Sequence, residues 1–76
     1  MNKILIYTTN TCPYCVMAKK LLQKKGLSYT EIHVDLDDEA REKMIERSGR
    51  RTVPQIFMDD IHIGGYDDLC DYFKKN

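Results

Sequence analysis

Apolar positions fall along this chain in blocks whose spacing shifts from short continuous runs to helical stripes and back. Ile4 to Tyr7, led in by Lys3, is an unbroken run of β-formers, the pattern of a strand buried on both faces. Small polar residues from Thr8 to Thr11 break it and suit a turn and a helix N-cap. Pro13 stands where a first helical turn tolerates proline. Cys15, Ala18 and Leu22, with Met17 and Leu21, then recur at helical spacing, while Lys19, Lys20, Lys24 and Lys25 take the wetter positions. Gly26 is the predicted stop.

Tyr29 to Val34 alternates, with Thr30, Ile32 and Val34 on one side and Glu31 and His33 on the other, which predicts a second strand. Strand, crossover helix and strand imply a right-handed βαβ unit with parallel strands. Asp37 or Asp38 caps a second predicted helix with Ala40, Met44 and Ile45 as its apolar stripe, Arg47 on its solvated face and Gly49 as its end. Pro54 opens a third strand, Gln55 to Met58. Ile61 to Ile63 gives a fourth, with Asp59-Asp60 as the tight turn between them. After Gly64-Gly65, Tyr66 or Asp67 starts a last helix with Leu69, Tyr72 and Phe73 inward. The order βαβαββα predicts an α/β fold with one mixed four-stranded sheet flanked by three helices, because a lone hairpin is barely stable.

Composition narrows the function classes. Seventy-six residues without linker or repeat read as one small domain, 1–76. Twelve basic and twelve acidic residues cancel, so no global field draws in nucleic acid or an anionic membrane. Locally, Arg47, Arg50 and Arg51 cluster before Pro54, and Asp59, Asp60, Asp67, Asp68 and Asp71 populate the C-terminal third. The run from Ile4 to Tyr7 is too short for a signal-peptide core or a membrane span, which gives a cytoplasmic expectation. Three cysteines, an odd number, argue against a secreted disulfide framework. In a reducing compartment, closely spaced cysteines point to catalysis or metal binding. No long apolar stripe remains after the helices are packed, so a monomer is expected.

The candidate chemistry lies in Cys12-Pro13-Tyr14-Cys15. Cysteines at i and i+3 of a helix start sit about 5–6 Å apart on one face. That is inside the roughly 4.4–6.8 Å window between Cα atoms that a disulfide accepts, so the pair can close and open with little backbone movement. The unpaired N–H groups and positive end of the helix favour thiolate at the first sulfur, and thiolate is the nucleophile. By itself the spacing suits a thioredoxin-like dithiol or half a metal site. No second CxxC exists, and His33 and His62 are not at finger spacing, so no metal is expected. His33, His62 and Cys70 read as packed or solvated residues; Tyr7 and Tyr29 read as core or sheet-face aromatics.

Three further features raise the specificity. Pro13 and Tyr14 fill the CxxC, Thr52-Val53-Pro54 precedes the third strand, and Gly64-Gly65-Tyr66-Asp67-Asp68 precedes the last helix. Together these resemble the dithiol glutaredoxins of short, single-domain bacterial type, over essentially the whole chain. The resemblance implies a thioredoxin fold and glutathione as reducing co-substrate. It makes Cys12 the attacking cysteine, Cys15 the resolving one and Pro54 a cis-proline facing them. Tyr14, Thr52, Val53, Gly65, Tyr66 and Asp67 would line a glutathione groove with Pro54. Implied partners are glutathione and disulfide-bearing or glutathionylated proteins, with ribonucleotide reductase one candidate client.

The residues agree with that chemistry. Proline pushes Val53 into extended conformation, so its N–H and C=O can pair with a peptide-like ligand as an added strand. Asp67 suits an amine, and carboxylates suit the N-terminus of the last helix and Arg50 or Arg51. Two departures stand out. Thr9 occupies the position where many glutaredoxins carry a lysine, which moves the stabilisation of Cys12 onto the helix terminus. Tyr66 replaces the cysteine or serine often found there and adds bulk at the groove's edge. The competing readings are a thioredoxin-like donor reduced by a flavoprotein reductase and an iron–sulfur or metal-binding module.

Overall fold

The computed structural model describes residues 3–75, and its elements follow the predicted order. They are β1 (Ile4–Thr8), α1 (Pro13–Lys24), β2 (Thr30–His33), α2 (Asp38–Ser48), β3 (Gln55–Met58), β4 (Ile61–Gly64) and α3 (Tyr66–Lys75). The expected domain, 1–76, takes in residues 1, 2 and 76, which lie outside the described residues. One sheet forms in the order β2-β1-β3-β4. β1 runs parallel to β2 and antiparallel to β3, and β4 returns antiparallel on β3.

The continuous apolar run of β1 has a direct cause: both faces of the sheet are covered. Ile4 and Ile6 join Ala18, Leu22, Ile56, Met58 and Leu69 under α1 and α3. Tyr7 joins Val34, Met44 and Phe57 under α2, with Leu5 packed alongside. The helix ends also follow the predicted signals. Asp37 accepts from the N–H groups of Glu39 and Ala40, and Gly49 closes α2 at φ 72°. Asp59 and Asp60 both take positive φ, 50° and 69°, the backbone twist of a two-residue hairpin turn.

Two expectations need correction. The cap of α1 is not a hydroxyl from Thr8 to Thr11; it is Cys12, whose Sγ accepts from the Cys15 N–H at 3.0 Å. The Thr8 hydroxyl is instead buried and donates to Glu31 at 2.7 Å. Arg47 is not a solvated residue of α2. Its guanidinium lies 4.3 Å from the Phe57 ring centroid and donates to the Tyr7 hydroxyl and the Asp60 carboxylate. It thereby ties α2 to the sheet and to the hairpin turn, with cation–π attraction to the ring.

This topology gathers three chain segments at one end of the sheet. Tyr7, near the end of β1, pairs with Gln55 at the start of β3, and Gly64 at the end of β4 pairs with Ile56. The start of α1, the Thr52–Pro54 loop and the start of α3 therefore lie side by side.

Core burial and surface exposure separate two leucines cleanly. Leu22 is fully buried between α1 and the sheet, whereas Leu36 is 73% exposed. Leu22→Ala should cost about 2–5 kcal/mol in urea unfolding, and Leu36→Ala should stay within about 0.5 kcal/mol.

Candidate active site

Cys12 and Cys15 share a helix start but not an environment. Cys12 is half-buried at the edge, while Cys15 is buried beside Ala18 and Leu22. The Cys12 sulfur accepts the Cys15 N–H, and its thiol lies 3.6 Å from the Val53 carbonyl oxygen as a donor. Both contacts follow from the chain's local rules. Pro13 at N1 leaves Cys12 as the cap, and Val53, joined to Pro54 by a cis peptide bond, presents its carbonyl to the sulfur. An N–H and a helix N-terminus aimed at one sulfur stabilise negative charge as it develops there.

Cys15 is held as a thiol. Burial and its hydrogen bond to Cys12 push it up from 9.0 to about 12, with the Thr9 backbone N–H and Lys19 offsetting part of the rise. Lys19, one turn further along α1, is tied to Glu31 at 2.8 Å, and Glu31 also accepts from Thr8. The Glu31 carboxyl stays below its ordinary value: burial raises it, but hydrogen bonds from Lys19 and Thr8 outweigh that.

A groove of about 260 Å³ opens beside Cys12, lined by Tyr14, Thr52, Val53, Pro54, Gly65, Tyr66 and Asp67, with Arg50, Gln55 and Asp68. Every groove residue expected from sequence is gathered here. Arg50 lines it; Arg51 is exposed and is not among the lining residues. The rings of Tyr14 and Tyr66 face each other with centroids 6.1 Å apart. The neighbouring Cys70 thiol, one turn on, holds the Tyr66 phenol above its usual range.

Three groups that sequence reasoning passed over build the groove's frame. The buried Gln55 amide donates to the Thr52 carbonyl and hydroxyl, and its oxygen lies 2.7 Å from His62 Nε2. The amide oxygen can only accept, so His62 donates from Nε2. Burial and the nearby Arg50 charge lower His62 from its ordinary value, favouring the neutral ring. Asp68 accepts the Gly65 N–H at 3.0 Å and pairs with Arg50 at 3.2 Å, and both hold its carboxyl below the usual range. It thus caps α3 while fixing Arg50. The available signals were a glutamine inside an apolar strand and an acid three residues after Gly65, the spacing of a capping box. Among the described residues, no three His, Cys, Asp or Glu side chains gather as a metal set, and no helix is long and apolar enough to cross a membrane.

The chain is similar to known proteins in sequence and in fold. The Glutaredoxin family model matches residues 4–63. Glutaredoxin 3 of Escherichia coli strain K12 is 58% identical over 69 residues, covering 91% of this chain and 83% of the relative. The solution structure of glutaredoxin from Brucella melitensis is 46% identical with a TM-score of 0.83, covering 97% of this chain and 80% of that one. The crystal structure of a buckwheat glutaredoxin–glutathione complex is 30% identical with a TM-score of 0.88, covering 97% of this chain and 70% of that one.

The unequal cysteines should differ in alkylation. With the reduced protein near neutral pH, iodoacetamide should modify Cys12 and spare Cys15, as read by peptide mapping; Cys15 should react only on unfolding or as pH climbs toward about 12. Equal labelling at neutral pH would contradict the burial asymmetry. Gly64 supplies a second check. At φ 124° it has no room for a Cβ, which would meet the Asp68 carboxylate. Gly64→Ala should destabilise by roughly 1–3 kcal/mol, measured by urea unfolding, and should unseat the α3 cap.

Proposed function

The chain belongs to the glutaredoxin family and is a thiol oxidoreductase; from that premise we propose that glutathione is its reductant and that Cys12 is the nucleophile. The observation that carries this reading is the groove beside Cys12, whose lining supplies the Val53 backbone, the Arg50 guanidinium and the start of α3. The Val53 backbone, which lines the groove, pairs with the ligand's peptide groups in the manner of an added strand. Asp67 receives the free amine. The first N–H groups of α3 take one carboxylate and Arg50 takes the other. A small, open cleft suits an extended tripeptide better than an enclosed drug-like site, which is typically roughly 300–1,000 Å³.

Two reactions follow. In the first, the Cys12 thiolate attacks the glutathione sulfur of a protein–glutathione mixed disulfide. The protein thiolate leaves and takes up a proton, and Cys12 becomes glutathionylated. A second glutathione thiolate attacks that glutathionyl sulfur, releasing oxidised glutathione and restoring Cys12. In the second, Cys12 attacks a protein disulfide. Cys15 gives up its proton and attacks the Cys12 sulfur of the mixed species, the client thiolate leaves protonated, and Cys12–Cys15 is left oxidised for two glutathiones to reduce. Holding Cys15 as a thiol delays this second step and favours the first. We place the protein, as one domain over 1–76 acting as a monomer, in a reducing cytoplasm, with ribonucleotide reductase one candidate client.

The test is turnover of a mixed disulfide between glutathione and a small thiol, coupled to glutathione reductase and NADPH. Wild type should turn over and Cys12→Ser should fall to background. Cys15→Ser should keep deglutathionylation and lose reduction of a protein disulfide. Asp67→Ala should raise the KM for glutathione about tenfold, the loss of one charged hydrogen bond. Turnover with thioredoxin reductase alone would favour the thioredoxin-like donor, and activity surviving in Cys12→Ser would overturn the assignment.

A further inference from the structure

Tyr66 is a wall shared by two clefts. On one side lies the groove that holds Tyr14, Val53 and Asp67. On the other, a cleft of about 280 Å³ runs along α1, lined by Met17, Lys20, Leu21, Lys24 and Tyr66. Five large apolar residues are exposed among the described residues. Three of them, Tyr14, Val16 and Met17, lie in the first half of α1 beside Cys12, while Leu36 and Ile61 stand apart on other segments. An apolar patch concentrated next to the reactive sulfur and continuous with a ligand groove marks a contact surface.

Charge fixes the kind of partner. α1 carries three lysines and no carboxylate. Lys19 is committed to Glu31, and Lys25, just past the helix, lies over the Phe73 ring. Lys20 and Lys24 have no ion pair among the described residues, and at i and i+4 they stand one above the other along the cleft. With twelve acids balancing twelve bases overall, these two cations are a local feature suited to a short acidic segment, and they fall short of the broad basic field that nucleic acid requires.

We propose that this cleft docks the client protein through an extended segment with an apolar residue beside its cysteine and carboxylates further along, so that client and glutathione occupy opposite sides of Tyr66. The proposal rests on the glutathione-dependent reading and extends it to the second substrate. The client's apolar residue packs on Met17, Leu21 and the Tyr66 ring, and its carboxylates reach Lys20 and Lys24. As Cys12 takes the glutathionyl group toward the groove, the client thiol departs along α1 without crossing the glutathione.

Two experiments separate docking from chemistry. The first titrates isotope-labelled protein with two peptides in which serine replaces the cysteine, identical except that one carries glutamates and the other lysines after a central leucine. The glutamate peptide should shift the backbone amides from Met17 to Lys24 and at Tyr66, and the lysine peptide should not. Equal shifts for the two peptides, or shifts confined to other elements, would overturn the proposal. The second compares turnover of the glutathionylated cysteine forms. The acidic peptide should have a KM about five- to tenfold lower, the worth of two exposed ion pairs. Lys20→Glu/Lys24→Glu should reverse that preference and added salt should erase it, with the small mixed disulfide turned over as by wild type. A preference that survives charge reversal would count against the cleft. Failure of wild type on the small mixed disulfide would overturn the glutathione reading instead, while the titration still decides the docking.

Discussion

The site depends on a sulfur doing the work of a helix cap. Because Cys12 Sγ accepts the Cys15 N–H, the start of α1 is fixed at Pro13, and everything after it falls into phase. Cys15 then points inward with Ala18 and Leu22, and its thiol is buried and keeps its proton. Cys12 stays at the rim, against the Val53 carbonyl. One hydrogen bond thus sets both the proximity of the two sulfurs and their inequality, and the inequality is what a dithiol needs in order to act in sequence.

The groove is a product of topology. Its walls come from α1, from the loop before β3 and from the start of α3, segments far apart in the chain. They meet because β1 pairs with both β2 and β3, which brings their functional ends to one edge. Gln55 and Asp68 then lock the loop and the helix start in place, each through side-chain bonds to backbone. Gly64 permits the second lock, since any side chain there would occupy the space of the Asp68 carboxylate.

What was legible in the sequence follows from how local each signal is. Asp37, Gly49, Gly26 and the β3 run act within a few residues, and their elements appear with boundaries within about two residues of those expected. The CxxC, Thr52-Val53-Pro54 and the stretch from Gly65 to Asp67 stand out as motifs in the sequence, and the structure places them side by side. The misreadings are of another kind. A cysteine cap was overlooked because Ser, Thr, Asp and Asn dominate that position. Arg47 was assigned to solvent because its partners, Phe57, Tyr7 and Asp60, belong to the sheet and hairpin, which helical periodicity cannot see. Lys19 likewise sits at a nominally wet position, yet it bonds to Glu31 across to β2.

The two departures from the family pattern fall on different parts of the site. Thr9 puts no cation beside Cys12, so charge forming on that sulfur is met by the Cys15 N–H and the end of α1, contacts available whichever substrate is bound. Tyr66 is a large ring where a small side chain is common, and Tyr14 faces it at 6.1 Å between centroids. A small residue there would merge the groove with the cleft along α1 into one open surface. Here Tyr66 lines both, so the groove and the cleft along α1 share one wall.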